Sequence, residues 1–241
     1  MIRNLKTLGL AITALFAVSA MVASTAAAQQ GKLTSDGPFT LTGAETGVGA
    51  NSLTAFGLKL ECPGSSYTGH KYNETPHKFI ASGSTTVTVT PHFNQAKCVA
   101  TPGNFPFTID LNGCDYVTHL GATTGGVAGT YALTFDIVCP AGQEITTTTF
   151  TNETALTENK PYCVMHIPPQ TGLSGAHTTD TANGFVDTTG PVKGIKVTRT
   201  KSATHALLCP EGTTLTGELD IDITGSVRNE AGGATAISVS E

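Results

Sequence analysis

The chain predicts an all-β protein: an antiparallel β-sandwich-like architecture with about ten strands and three disulfides. Three observations carry this reading. Apolar residues recur with period two rather than with helical period. Gly, Pro and Asn clusters cut the sequence into short segments. Six cysteines follow what reads as an export signal, and an even count in an exported chain is read as bridges rather than as a metal site.

At the N-terminus, Arg3 and Lys6 precede an apolar stretch from Leu8 to Ala23. Ala26-Ala27-Ala28 before Gln29 then has the small-x-small form that signal peptidase accepts. Residues 1–28 are therefore expected to be removed, leaving residues 29–241. A retained anchor would want a basic stop-transfer flank, which this stretch lacks. No cysteine near the cleavage site invites a lipid, and Ile237 to Glu241 form no hydrophobic tail, so soluble export to the envelope or the outside is the expectation.

The remaining 213 or so residues suit one disulfide-braced β domain. Two lobes joined by the polar segment 151–160 are the alternative. Large apolar side chains make up only about a fifth of this length, close to the level at which chains stop folding unaided, so covalent help is expected. Without the signal, 11 Lys and Arg face 18 Asp and Glu. That acidic balance disfavours nucleic acid and anionic membranes as partners.

Strand grammar runs through the chain. Phe56, Leu58, Leu60 and Cys62 share one face, and Phe105-Phe107-Ile109-Leu111, Leu133-Phe135-Ile137-Cys139, Cys163-Met165-Ile167 and Leu219-Ile221-Ile223 follow the same rule. Val87 and Val89 alternate with Thr86, Thr88 and Thr90, and Thr146 to Thr149 are β-branched throughout, which disfavours helix. Pro63-Gly64, Asn112-Gly113, Pro140-Ala141-Gly142 and Pro168-Pro169 mark turns. Cys-Pro recurs at Cys62, Cys139 and Cys209, where a proline that cannot donate to a ladder ends a strand and a cysteine pins that end.

Register suggests one bridge. If residues 121–129 form a hairpin loop, pairing residues whose numbers sum to 253 sets Cys114 opposite Cys139, Tyr116 opposite Ile137 and Leu120 opposite Leu133, all on one face. Cys62 with Cys98 and Cys163 with Cys209 complete a sequential set. Its rival, built on the Cys-Pro copies, is Cys62–Cys98, Cys139–Cys163 and Cys114–Cys209. Loops of this size contribute roughly 3–4 kcal/mol each in the chain-entropy model.

The segments Asn112-Gly113-Cys114-Asp115-Tyr116, Cys139 to Ile145, Ile167 to Ser174 and Gly194-Ile195 together resemble a pattern found in small exported bacterial β proteins of unknown function. The resemblance spans about Phe39 to Gly225. It implies an extracellular disulfide-containing β protein and brings no catalytic residue with it.

Chemistry-bearing residues are sparse. His70, His77, His92 and Glu74 fall in one stretch, but no spacing presents two metal ligands from one element, so they read as surface side chains and no metal or other cofactor is expected. Asp115 and His119 point away from the Cys114 face as a solvated pair. Glu218, Asp220 and Asp222 form an acidic stripe that suits a charged edge strand better than a calcium loop. Ser174 in Gly172-Leu173-Ser174-Gly175-Ala176 lacks the strand–turn–helix setting of a nucleophile elbow. Asn73 and Asn152 sit in glycosylation-type triplets. The threonine rows read as exposed, soluble strand formers rather than as a sugar platform, for which aromatics are too few. Tyr67 and Tyr72, in a polar loop with His70, are the expected exposed aromatics and the candidate ligand contacts.

Three functions fit. The first is a non-enzymatic secreted protein that recognises protein or glycan through its surface. The second is a glycosidase-like hydrolase with carboxylates from different strands, such as Asp110, Asp136 or Asp222. The third is a carrier with an apolar cavity, which the short supply of large side chains permits.

Overall fold

The computed structural model describes residues 30–46, 51–71, 79–124, 129–180, 185–201, 215–229, 234–236 and 238–240. The expected signal segment 1–28 lies outside them, as do Tyr72, Asn73, Glu74, His77 and Cys209.

After β1 (Lys32–Thr34) the chain runs as eight long antiparallel staves, six of which are broken once. The broken staves are β2 (Phe39–Glu45) with β3 (Ser52–Ala55), β4 (Leu58–Glu61) with β5 (Ser66–Lys71), and β6 (Thr86–His92) with β7 (Val99–Thr101). They continue as β8 (Phe105–Asp110) with β9 (Asp115–Thr123), β10 (Thr130–Val138) with β11 (Ile145–Thr149), and β12 (Cys163–Ile167) with β13 (Gln170–Asp180). The last two staves, β14 (Val186–Lys201) and β15 (Leu215–Asn229), run through unbroken, and β16 (Ala234–Thr235) and β17 (Ser238–Ser240) follow.

One tier reads β15-β2-β5-β6-β9-β10-β13-β14 and returns to β15; the other reads β15-β3-β4-β7-β8-β11-β12-β14 and also returns to β15. The product is a closed eight-stranded barrel in two tiers, which corrects the expected sandwich. Closure comes from β15 pairing the first stave, Ile223↔Glu45 to Asn229↔Phe39 in one tier and Glu218↔Thr54 to Asp220↔Ser52 in the other. These pairs join residues far apart in sequence, and alternation alone is the same in a sandwich and a barrel. Where about ten strands were expected, the described residues hold seventeen: six breaks turn eight staves into fourteen strands, and β1, β16 and β17 are added.

The breaks are built from the turn residues. Gly64 (φ 79°), Asn112 (φ 50°), Gly113 (φ 77°) and Gly142 (φ 76°) take left-handed backbone there. Cys114 N donates to the Leu111 carbonyl (2.8 Å) and Gln143 N to that of Pro140 (2.9 Å). Pro168 and Pro169 interrupt the sixth stave, and a short 3-10 turn, Gln95–Lys97, the third. β14 bends without breaking, through a bulge at Gly194 (φ 83°) between the pairs Lys193↔Glu218 and Ile195↔Gly217.

One further correction is local, and one segment gains a short helix. Phe56 does not share a strand face with Leu58. Phe56 (φ 54°) and Gly57 (φ 75°) form the two-residue turn of the hairpin that pairs Ala55 with Leu58. The segment 151–160 carries a short helix, α1 (Glu153–Thr157), between adjacent strands β11 and β12. Asn152 caps it by accepting from Ala155 N at 2.8 Å.

The register on β9 and β10 is the expected one, with Leu120↔Leu133 and Tyr116↔Ile137 paired, and Cys114 is bonded to Cys139. Cys62 is bonded to Cys98. Cys62–Cys98 is common to both expected sets, and Cys114–Cys139 overturns the rival one. Both join neighbouring staves at their breaks, so they girdle the barrel's waist. Cys163 is also disulfide-bonded, and its expected partner Cys209 is outside the described residues.

Inward residues meet in one continuous core. Phe107, Met165 and Val197 are fully buried in the tier that ends at the Phe56 hairpin. At the opposite tier β1 pairs with β17, and buried Leu33 and Val239 turn this ribbon into a cover.

Candidate functional site

Interior positions of an eight-stranded barrel are either filled by side chains or hold one small ligand. Here several are small. Gly43 and Thr118, with Thr178 and Thr188 opposite one another on β13 and β14, all face inward in the β2–β5–β6–β9 tier or beside it. Gly69 also faces inward, and a Cβ there would press on Leu41. The interior is accordingly unfilled: a cavity of about 160 Å³ lies within the barrel and reaches the waist at Cys62. Leu133, Phe135 and Ile137 of β10 give it a hydrophobic wall.

The threonines in this wall spend their hydroxyls on the protein. Thr118 Oγ1 donates to the Val87 carbonyl (3.1 Å), and the hydroxyls of Thr178 and Thr188 bond each other (3.0 Å). They therefore offer the cavity mainly methyl groups. No carboxylate, amine, guanidinium or imidazole lines it among the described residues.

Two phenols face it, alongside Asn51, Ser52 and the threonines. Tyr67 is 6% exposed and bonds with Ser65, whose Oγ donates to the Cys62 carbonyl at 2.6 Å. Burial pushes the Tyr67 phenol well above the ordinary tyrosine range, and the neighbouring Tyr116 and the Glu45 carboxylate push it the same way. Burial raises Tyr116 to about 12. Its ring tilts against Phe135 with centroids 5.7 Å apart. Glu45, at the first stave's break, accepts from the backbone N–H groups of Asn51 (3.2 Å), Gly64 (2.6 Å) and Ser65 (3.3 Å). A fixed negative charge thus stands near the Tyr67 end.

The candidate residues read from sequence are placed as follows. Tyr67 is not an exposed loop aromatic; it lies in β5 and faces the cavity. His70 is 8% exposed in the same strand, so it is not a surface histidine, whereas His92 is exposed. Alternation was hidden there because Tyr67 and Gly69 are the only inward residues of a polar-looking run. The threonine rows are not uniformly exposed: Thr147 (2%) and Thr149 (0%) point inward from β11 with hydroxyls that have no hydrogen-bond partner.

Asp115 and His119 do face outward, each paired elsewhere. Thr90 Oγ1 donates to Asp115 (2.6 Å), and His119 Nε2 donates to Asp136 (3.1 Å). Asp136 also accepts from Gly172 N at 2.7 Å. Asp110, exposed at the end of β8, accepts from Asn112 N (2.9 Å). Asp110 and Asp136 sit in different tiers and neither lines the cavity. Glu218, Asp220 and Asp222 lie in β15, which is paired on both sides and is therefore not the edge strand expected. Ser174 is exposed on β13 between Thr134 and Lys193. No cluster of three His, Cys, Asp or Glu side chains suited to a metal occurs among the described residues.

Sequence reasoning missed Tyr116, Thr118 and Thr188 as cavity residues. Register places Tyr116 on the inward face, but the emptiness beside it depends on residues from all seven other staves. No family model matches this chain, and neither a curated protein nor a solved structure does so.

Proposed function

We propose that this chain is an exported carrier that holds a small apolar molecule inside its barrel. The observation that carries the reading is the apolar cavity of about 160 Å³, walled by β10 and by inward threonines and glycines. An engineered apolar cavity of about 150 Å³ stays dry and takes up benzene, so this interior suits a compact hydrocarbon-like body. Among the described residues its lining offers no acid–base pair, and two of the carboxylates considered for hydrolysis, Asp110 and Asp136, are committed to bonds elsewhere. The glycosidase-like reading draws no support from these two residues.

Export accords with the two disulfides, which persist in oxidising compartments. The barrel's polarity supports an aqueous exterior. On β10 the inward residues are Tyr131, Leu133, Phe135 and Ile137, while Asp136 and Thr134 face out, the reverse of a membrane barrel's apolar outer band.

The test is a calorimetric titration of the mature chain with naphthalene, a neutral apolar probe of the compact size this cavity suits. Saturable binding, weakened at least tenfold in Thr118→Leu without loss of folding, is expected. Absence of saturable binding, or equal binding by the filled variant, would overturn the reading and return the protein to recognition through its outer surface.

A further inference from the structure

The cavity's polar groups are unequally available. The hydroxyls of Thr118, Thr178 and Thr188 are spent on protein partners, and Tyr67 is bonded with Ser65. The Thr147 hydroxyl is sealed within the wall. Tyr116 differs. It lies mid-wall on β9 between Val89 and Ile137, lines the cavity and keeps accessible surface there. Among the described residues its hydroxyl has no hydrogen-bond partner. A hydroxyl that faces the cavity and is not spent on a protein partner is free to donate to a ligand.

Charge narrows the ligand further. No cation lines the cavity among the described residues, and Glu45 places a carboxylate near its Tyr67 end. An ionised head group brought into this interior would lose its hydration and find no countercharge. The phenol offers an O–H donor, so the complementary group is a neutral acceptor.

We propose that Tyr116 is the polar anchor of the cavity and that the ligand class is an uncharged apolar molecule with one acceptor oxygen, an alcohol or a ketone, rather than a carboxylate. The proposal rests on the carrier reading and adds a specificity to it. The ligand's oxygen accepts from the Tyr116 hydroxyl, while its hydrocarbon body lies along Leu133 and Phe135.

The test displaces bound naphthalene from the mature chain with octanol, methyl hexyl ketone and octanoate. At neutral pH octanol and the ketone are expected to compete, and octanoate to do so more than tenfold more weakly, catching up as acid neutralises its carboxylate. Tyr116→Phe should weaken octanol and the ketone roughly fivefold to tenfold, the usual size of one hydrogen bond. Octanoate competing equally at neutral pH would overturn the proposal even if the variant misfolds. Unchanged octanol and ketone affinity in a folded Tyr116→Phe would overturn it as well. In both cases probe binding by the wild-type chain leaves the carrier reading standing; failure of the probe to bind removes both.

Discussion

Asn112 donates its Nδ2 hydrogen to the Glu144 carbonyl at 2.8 Å, tying the break of the fourth stave to that of the fifth beside the Cys114–Cys139 bridge. Asn112 also takes left-handed backbone (φ 50°), which asparagine tolerates better than residues without a short polar side chain. Asn112→Ala loses both features and should cost about 2 kcal/mol, read as a lower urea midpoint at unchanged slope. Asn112→Gly loses only the hydrogen bond and should recover about half of that. Equal losses in the two variants would show that the backbone conformation contributes nothing.

The waist disulfides should dominate stability. Cys62–Cys98 and Cys114–Cys139 span 36 and 25 residues, worth about 3.5 to 4 kcal/mol each in the chain-entropy model. Paired serine replacement of Cys114 and Cys139 should lower the unfolding free energy by about that much, measured by guanidinium melts. A change below about 1 kcal/mol would mean that the unfolded chain is already held compact without the bridge.

Much of this barrel was legible in the sequence because it is written in local pattern. The Leu133-Phe135-Ile137 alternation, the Asn112-Gly113 turn and the 253 register between β9 and β10 all follow from side-chain period and turn chemistry. Closure was not legible, since it depends on β15 meeting β2 and β3 across nearly the whole chain. The cavity was legible only as a shortage: few large side chains imply empty space somewhere, but the place is set by which small residues converge. Gly69 and Thr118 belong to separate hairpins and become neighbours of one void only after β6 inserts between β5 and β9.

Thr149 exposes the cost of using threonine inside. Its side chain is fully buried and its hydroxyl has no hydrogen-bond partner. Valine has nearly the same shape and no polar atom to desolvate, so Thr149→Val should stabilise the fold by about 1 kcal/mol. Thr147→Val should do the same. Thermal melts of the single variants check this, and a lower Tm in both would show that the hydroxyls make bonds in solution.

Alkaline pH tests the interior phenols. Tyr116 ionises near pH 12 in the folded barrel against about 10 when exposed, because burial penalises the phenolate, and Tyr67 shifts in the same direction. Between these values the unfolded chain has released protons that the folded chain keeps, so stability falls as pH rises. The contribution is fully present below pH 10 and is lost as pH climbs through the folded value. For Tyr116 it amounts to about 2 to 3 kcal/mol. Denaturant midpoints should therefore drop steeply above pH 10, and phenolate absorbance should show the interior tyrosines titrating late and together with unfolding. Tyr116→Phe, which removes one of these protons, should flatten the drop. A variant that tracks the wild type through that range would place the Tyr116 hydroxyl in contact with water rather than in a dry barrel.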